Sequence, residues 1–192
     1  MRVLIQIMLS KCPKVNKPDP YTKEILIQSF LSFKAFYMER VALKRSGISI
    51  RLPILPEDIS ENMVKFRMNA MGKSFRWSKC KNVSGDLVSD TEGKQEVKCF
   101  TSNGPISFGP KESWDIIYFL DAREWTLDRF TMWRIQLKND SDEWKKIQMN
   151  KMQTYDDQCK QGRRPRLHWD ALYQQMKPHA EQVFYGSFME LF

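Results

Sequence analysis

The chain has 192 residues, 42% of them hydrophobic and 28% charged, with a net charge of +8 and a pI near 9.3. That composition fits one globular domain with a real core and an acidic partner, nucleic acid ahead of an anionic membrane. No run approaches the roughly 20 apolar residues of a membrane span. Four scattered cysteines without a CxxC pair indicate neither a zinc site nor a disulfide framework, and only two histidines (His168, His179) argue against zinc hydrolases and nucleases built on a histidine base.

Residues 1–20 hold Pro13, Pro18, Pro20 and several lysines and read as an N-terminal arm, with 21–192 as the folded domain. The apolar start Met1–Leu9 is too short for a signal core, and Lys11 follows it. The unpaired cysteines read as reduced, which places the protein in the cytoplasm. Tyr21 to Arg45 carries Leu26, Phe30, Phe33, Tyr37 and Val41 on one helical face, with Thr22 at its start and Gly47 at its stop. Pro53 and Pro56 break the chain. A second helix is expected from Ser60 as N-cap to Met71, with Glu61 in its first turn.

Phe75-Arg76-Trp77 opens the sheet. Gly85 to Phe100 then reads as two strands around a turn at Thr91-Glu92-Gly93. Residues two apart in a strand share a face, so Glu96 and Lys98 point one way and Val97 the other. If the hairpin closes, Asp86 joins them. Two carboxylates brought that close repel unless a cation sits between them, and a hard ion such as Mg²⁺ takes oxygen ligands. A charged lysine cannot ligate the ion, but it can orient water or meet charge on a phosphate. An exposed ion pair on a solvated hairpin is the plain structural alternative.

Thr101 to Lys111 contains Gly104-Pro105 and Gly109-Pro110 and reads as an ordered surface loop, suited to substrate contacts because it follows the hairpin strand. Asp115 to Ala122 is a buried central strand and Phe130 to Leu137 another, followed by a turn at Asn139–Asp142. Lys160, Arg163, Arg164 and Arg166 cluster within seven residues, and Pro165 keeps them out of a helix interior. Such arginines can fork onto phosphates or guanine edges, or pair with Asp156 and Asp157. Trp169 to Met176 suggests a closing helix. The aromatic tail Val183–Phe192 packs on the core or on another subunit.

Asp86, nine intervening residues, then Glu96-Val97-Lys98 resembles the PD-(D/E)xK nuclease pattern, with Gly85 in place of the proline that usually precedes the aspartate. Leu55–Glu61, Ser107-Phe108-Gly109-Pro110 with Trp114-Asp115, and Gln161–Leu167 extend the resemblance to the small type II restriction endonucleases that cut GCNGC sites. It implies a restriction-endonuclease-like α/β fold, a central mixed sheet flanked by helices, in a prokaryotic protein. It further implies Mg²⁺ on Asp86, Glu96 and the Val97 carbonyl, with Glu61 as an accessory carboxylate and Lys98 on the attacking water. Ser107, Lys111, Lys160, Arg163, Arg164 and Arg166 would touch double-stranded DNA, and a homodimer would match a palindromic site. A binding module without catalysis and a repair or junction nuclease of the same superfamily are the rival readings.

Overall fold

The computed structural model describes residues 21–78 and 85–192. The arm expected over residues 1–20 lies outside them. At the centre, strands β3 (Gly93–Phe100) and β5 (Ile116–Asp121) run parallel, with Gln95 opposite Ile116 and Phe100 opposite Asp121. Residues Ile116 to Leu120 are all buried, as a continuous apolar run must be when both faces of its strand are covered. Strands β2 (Leu87–Ser89) and β1 (Phe75–Trp77) extend one side antiparallel. Strands β6 (Phe130–Ile135) and β8 (Ala180–Gly186) extend the other, giving a mixed six-stranded sheet in the order β1-β2-β3-β5-β6-β8.

Helices α1 (Lys23–Arg45) and α2 (Glu57–Ala70) cover one face. Leu26, Phe30, Met63 and Val64 pack there against Val97, Tyr118 and Leu120. On the opposite face, Phe108, Trp114, Trp144, Trp169 and Leu172 close over Ile117, Phe119 and Phe100. That layer includes the short helices α3 (Asp142–Lys145) and α4 (Tyr155–Lys160) and the closing helix α5 (Trp169–Met176). The period-2 alternation along β3 and β5 thus divides the two cores. It also sends Glu96 and Lys98 toward the Trp-rich side.

The first helix forms as its spacing predicts. Thr22 Oγ1 accepts from Ile25 N at 3.3 Å, and Gly47 lies just past the end at φ +93°. The second helix begins a turn earlier than predicted, at Glu57. Pro56 occupies the N-cap, Glu57 and Asp58 supply the first-turn charge, and the Ser60 hydroxyl donates to Glu57 O at 3.0 Å from inside the helix. Glu61 therefore stands in the second turn.

Two further expectations are corrected. Ile106–Ser107 is strand β4, paired antiparallel with β7 (Arg166–Leu167), and Ile106 and Phe108 are buried. Residues 102–105, Pro110 and Lys111 are exposed as a surface loop would be, but Ile106 and Phe108 anchor the middle of the segment in the second core. The residues around the basic cluster are also partly helical: Thr154 and Asp157 form a capping box at the start of α4, and Gly162 at φ +66° follows its end. The tail packs on the core of its own chain through Val183, Phe184, Phe188 and Leu191, and its first half forms β8. Among the described residues, no helix is long and apolar enough to cross a membrane.

Candidate active site

The hairpin places Asp86 by backbone pairing. Its N–H donates to Gln95 O at 2.8 Å, and its carbonyl accepts from Ser78 N at 2.9 Å. Its carboxylate Oδ2 then accepts from Val97 N at 2.8 Å. In a strand, one residue's N–H and C=O point to the same side, so the Val97 carbonyl also opens toward Asp86. Gly85 takes φ +100°, a conformation closed to proline, whose ring holds φ near −65°. This accounts for glycine before the aspartate.

Glu96, 4% exposed, and Lys98 project together from β3 and form an ion pair. Lys98 Nζ also reaches Glu112 Oε2 at 3.2 Å. From α2, Glu61 Oε2 accepts from Trp77 Nε1 at 2.5 Å. These groups line one cleft of about 440 Å³, in which five carboxylates (Glu57, Glu61, Asp86, Glu96, Glu112) face two cations (Lys98 and Arg164).

The imbalance shows in the acidities. Burial, then the neighbouring Asp86, pushes Glu61 up to about 8. Burial also raises Glu96 to about 7, with the Lys98 ammonium opposing and Asp86 reinforcing. Asp86 is raised as well, by burial first, against the lowering pull of the Val97 N–H and Lys98. For Lys98, burial acts downward, but Glu96 and Glu112 outweigh it and the ammonium is held above its ordinary range.

No three His, Cys, Asp or Glu side chains among the described residues gather into a metal-holding group. The donors at this cleft are carboxylate and carbonyl oxygens, and the carboxylates are costly as they stand. That chemistry fits a hard divalent cation that keeps several waters and takes one or two carboxylates.

The residues expected at DNA divide into two groups. Ser107 and Arg164 line the cleft, and Arg166 lies directly across the β4–β7 ribbon from Ser107. The Ser107 Oγ is buried and makes no hydrogen bond. Lys111 is exposed beyond the cleft lining. Arg163 also lies outside that lining and donates to Gln153 Oε1 at 3.2 Å. Lys160 pairs with Asp156 at 2.6 Å, so the ion pair expected of the arginines is made by the lysine.

Glu112 escaped the sequence reading. No spacing rule links it to the hairpin, and only the register of β3 beside β5 brings it to Lys98. The one signal in its neighbourhood was the glycine three residues before it.

A family model described as Bsp6I restriction endonuclease matches residues 24–174, which include every residue of this cleft. The type II restriction enzyme Bsp6I of Bacillus sp. (strain RFL6) is 43% identical over 116 residues, 58% of this chain. The match spans 60% of that relative's length, less than two thirds of it. No solved structure matches the chain.

Proposed function

The chain belongs to the Bsp6I restriction endonuclease family, and on that premise we propose that it hydrolyses phosphodiesters of double-stranded DNA at a short specific site. We take the site to be palindromic and GC-rich, of the GCNGC type, cut by a homodimer in a prokaryotic cytoplasm. The observation that carries the catalytic part is the convergence of Asp86, Glu96 and Lys98 on one cleft whose carboxylates outnumber its cations. A module that only bound nucleic acid would have no use for buried, mutually repelling carboxylates on its binding face.

Asp86, Glu96 and the Val97 carbonyl would hold Mg²⁺, with Glu61 as an accessory oxygen. When bound, the ion supplies Lewis-acid polarisation of the phosphate and a more acidic water. Lys98, kept as an ammonium by its carboxylate neighbours, orients the attacking water and meets the negative charge developing on the phosphate oxygens. Water oxygen attacks phosphorus and gives up a proton to solvent, the bond to the leaving sugar oxygen breaks, and that oxygen takes up a proton from solvent to leave as the hydroxyl. The ribbon carrying Ser107 and Arg166, with Arg164 at the cleft wall, would meet the duplex. Lys111, Lys160 and Arg163 would add charge to the backbone contact.

The test is incubation of unmethylated plasmid with the protein and Mg²⁺, beside Lys98→Ala and an EDTA control. Discrete fragments from the parent protein alone are expected. A smear would replace site-specific cutting with non-specific or repair-type hydrolysis. Intact plasmid with a retained gel shift would leave only a binding module.

A further inference from the structure

Lys98 is flanked by two carboxylates with different prospects. Glu96 is a ligand in the reading above and cannot devote both oxygens to the ammonium. Glu112 has no other cation within ion-pair distance among the described residues, and its Oε2 faces Lys98 Nζ at 3.2 Å as an ion pair without hydrogen-bond geometry.

The backbone that delivers Glu112 is tied down on both sides. Its N–H donates to Gly109 O at 3.2 Å, closing a tight turn. Its carbonyl accepts from Asn139 Nδ2 at 2.8 Å, while Asn139 Oδ1 accepts from Trp114 N at 3.2 Å. Phe108 and Trp114, both fully buried, bracket the turn.

Gly109 supplies a second, independent observation. Its φ lies outside the left-handed region, so its backbone admits any L-residue. Yet a Cβ there would stand 2.7 Å from Glu112 Oε1 and 2.9 Å from both Cδ and Cγ of the same side chain. A methyl group at 109 would therefore displace the Glu112 side chain, which lies across the space it would fill.

We infer that Glu112 is a positioning residue: seated in the slot left by Gly109, it holds the Lys98 ammonium at the cleft and leaves Glu96 free to serve as a ligand. The inference rests on the nuclease reading. It also gives the Ser107-Phe108-Gly109-Pro110 segment a physical job beyond DNA contact, with Phe108 as anchor and Gly109 as clearance.

The experiment compares Glu112→Ala, Glu112→Asp, Gly109→Ala and the Gly109→Ala/Glu112→Ala double variant, each checked for folding by thermal melting. Three readouts are taken: single-turnover cleavage at saturating enzyme, DNA affinity without Mg²⁺, and the Lys98 ammonium resonance of the metal-free ¹⁵N-labelled protein. Glu112→Ala and Gly109→Ala should each slow cleavage roughly 100-fold, the scale of a displaced catalytic group, with DNA affinity unchanged. Glu112→Asp should recover part of the rate. The double variant should be no slower than Glu112→Ala, because the side chain that Gly109→Ala displaces is already gone. The Lys98 resonance, protected from exchange while held between two carboxylates, should broaden or vanish in both single variants.

Cleavage by Glu112→Ala within about twofold of the parent, well short of the expected loss, would overturn the role. So would multiplicative losses in the double variant, or an unchanged Lys98 resonance. In each of those cases the parent still cuts, so the nuclease reading survives. A parent that cuts no DNA removes that reading and this role together.

Discussion

Strand β3 and the turn before it carry two carboxylates four residues apart, Glu92 partly buried and Glu96 buried, and they live in opposite surroundings. Glu92, in the turn before the strand, lies 2.5 Å from Lys73 and 3.5 Å from Arg134, two cations around one carboxylate. Glu96, within the strand, shares its cleft with four other carboxylates and two cations. At Glu92 the charges are settled inside the fold. At Glu96 they are left in deficit of positive charge, and burial raises its pKa to about 7. A fold tolerates such a deficit where something from outside completes it, so the contrast sets a structural ion pair beside the proposed site.

Replacing each by glutamine should dissociate the two roles, and this is where the largest effect is expected. Glu96→Gln should slow single-turnover cleavage by at least about 100-fold, the scale on which charge-stabilising groups act. It should leave the urea midpoint of the metal-free protein unchanged or higher, since one repelling charge is gone. Glu92→Gln should do the reverse. It leaves Lys73 without its carboxylate and Arg134 with only Glu181, 3.7 Å away, so unfolding should become easier by about 1–2 kcal/mol, discounted from the full cost of a broken buried pair because Lys73 is half-exposed. Its cleavage rate should hold. Equal losses of activity in both variants would erase the distinction.

The pH dependence of stability sharpens the same contrast. Glu61 is raised to about 8, against an unfolded value near 4.3. Below both values the two states are equally protonated. As pH rises between them, the unfolded chain loses its proton while the folded one keeps it, so folded stability falls up to about pH 8 and then levels. Glu61→Gln should therefore stabilise the metal-free protein at pH 8, on the order of 1–3 kcal/mol, and do little at pH 4. Mg²⁺ should narrow the difference at pH 8. Urea titrations at the two pH values measure it, and a Glu61→Gln protein less stable at pH 8 would contradict the charge deficit.

The smallest effect is expected at the cleft wall. Arg164→Ala should weaken binding of all duplexes alike and flatten the log–log salt dependence by about 0.9 if Arg164 meets a phosphate. A loss of about 1–3 kcal/mol confined to the specific site would make it a base reader. Fluorescence anisotropy on matched and unmatched duplexes, across a salt series, separates the two.

Local order was legible where one segment carried the whole signal. The four-three-four-four spacing of Leu26, Phe30, Phe33, Tyr37 and Val41 announced α1, and the apolar run Ile116–Leu120 announced the central strand, because helix and strand periods are written in neighbouring residues. The hairpin trio was legible for the same reason: alternation puts Glu96 and Lys98 on one face, and a tight turn returns Asp86 to them. The start of α2 was misread because Ser60 is a good N-cap by type, whereas Pro56 with Glu57 and Asp58 won by position.

What only the tertiary structure decided were contacts between segments distant in sequence. Parallel pairing of β3 with β5 needs a crossover, and the path of that crossover brings Glu112 to Lys98. The β4–β7 ribbon joins residues about sixty positions apart, which makes one surface of two segments that read separately as a loop and a basic cluster. Strand β8 exists because the exposed edge of β6 offers a ladder to an aromatic tail that can also bury Phe184 and Phe188. The charge deficit of the cleft belongs to the same class. A sequence counts its acids and bases over the whole chain, and here the count is +8. Only packing decides which of them are gathered, out of water, around a single lysine.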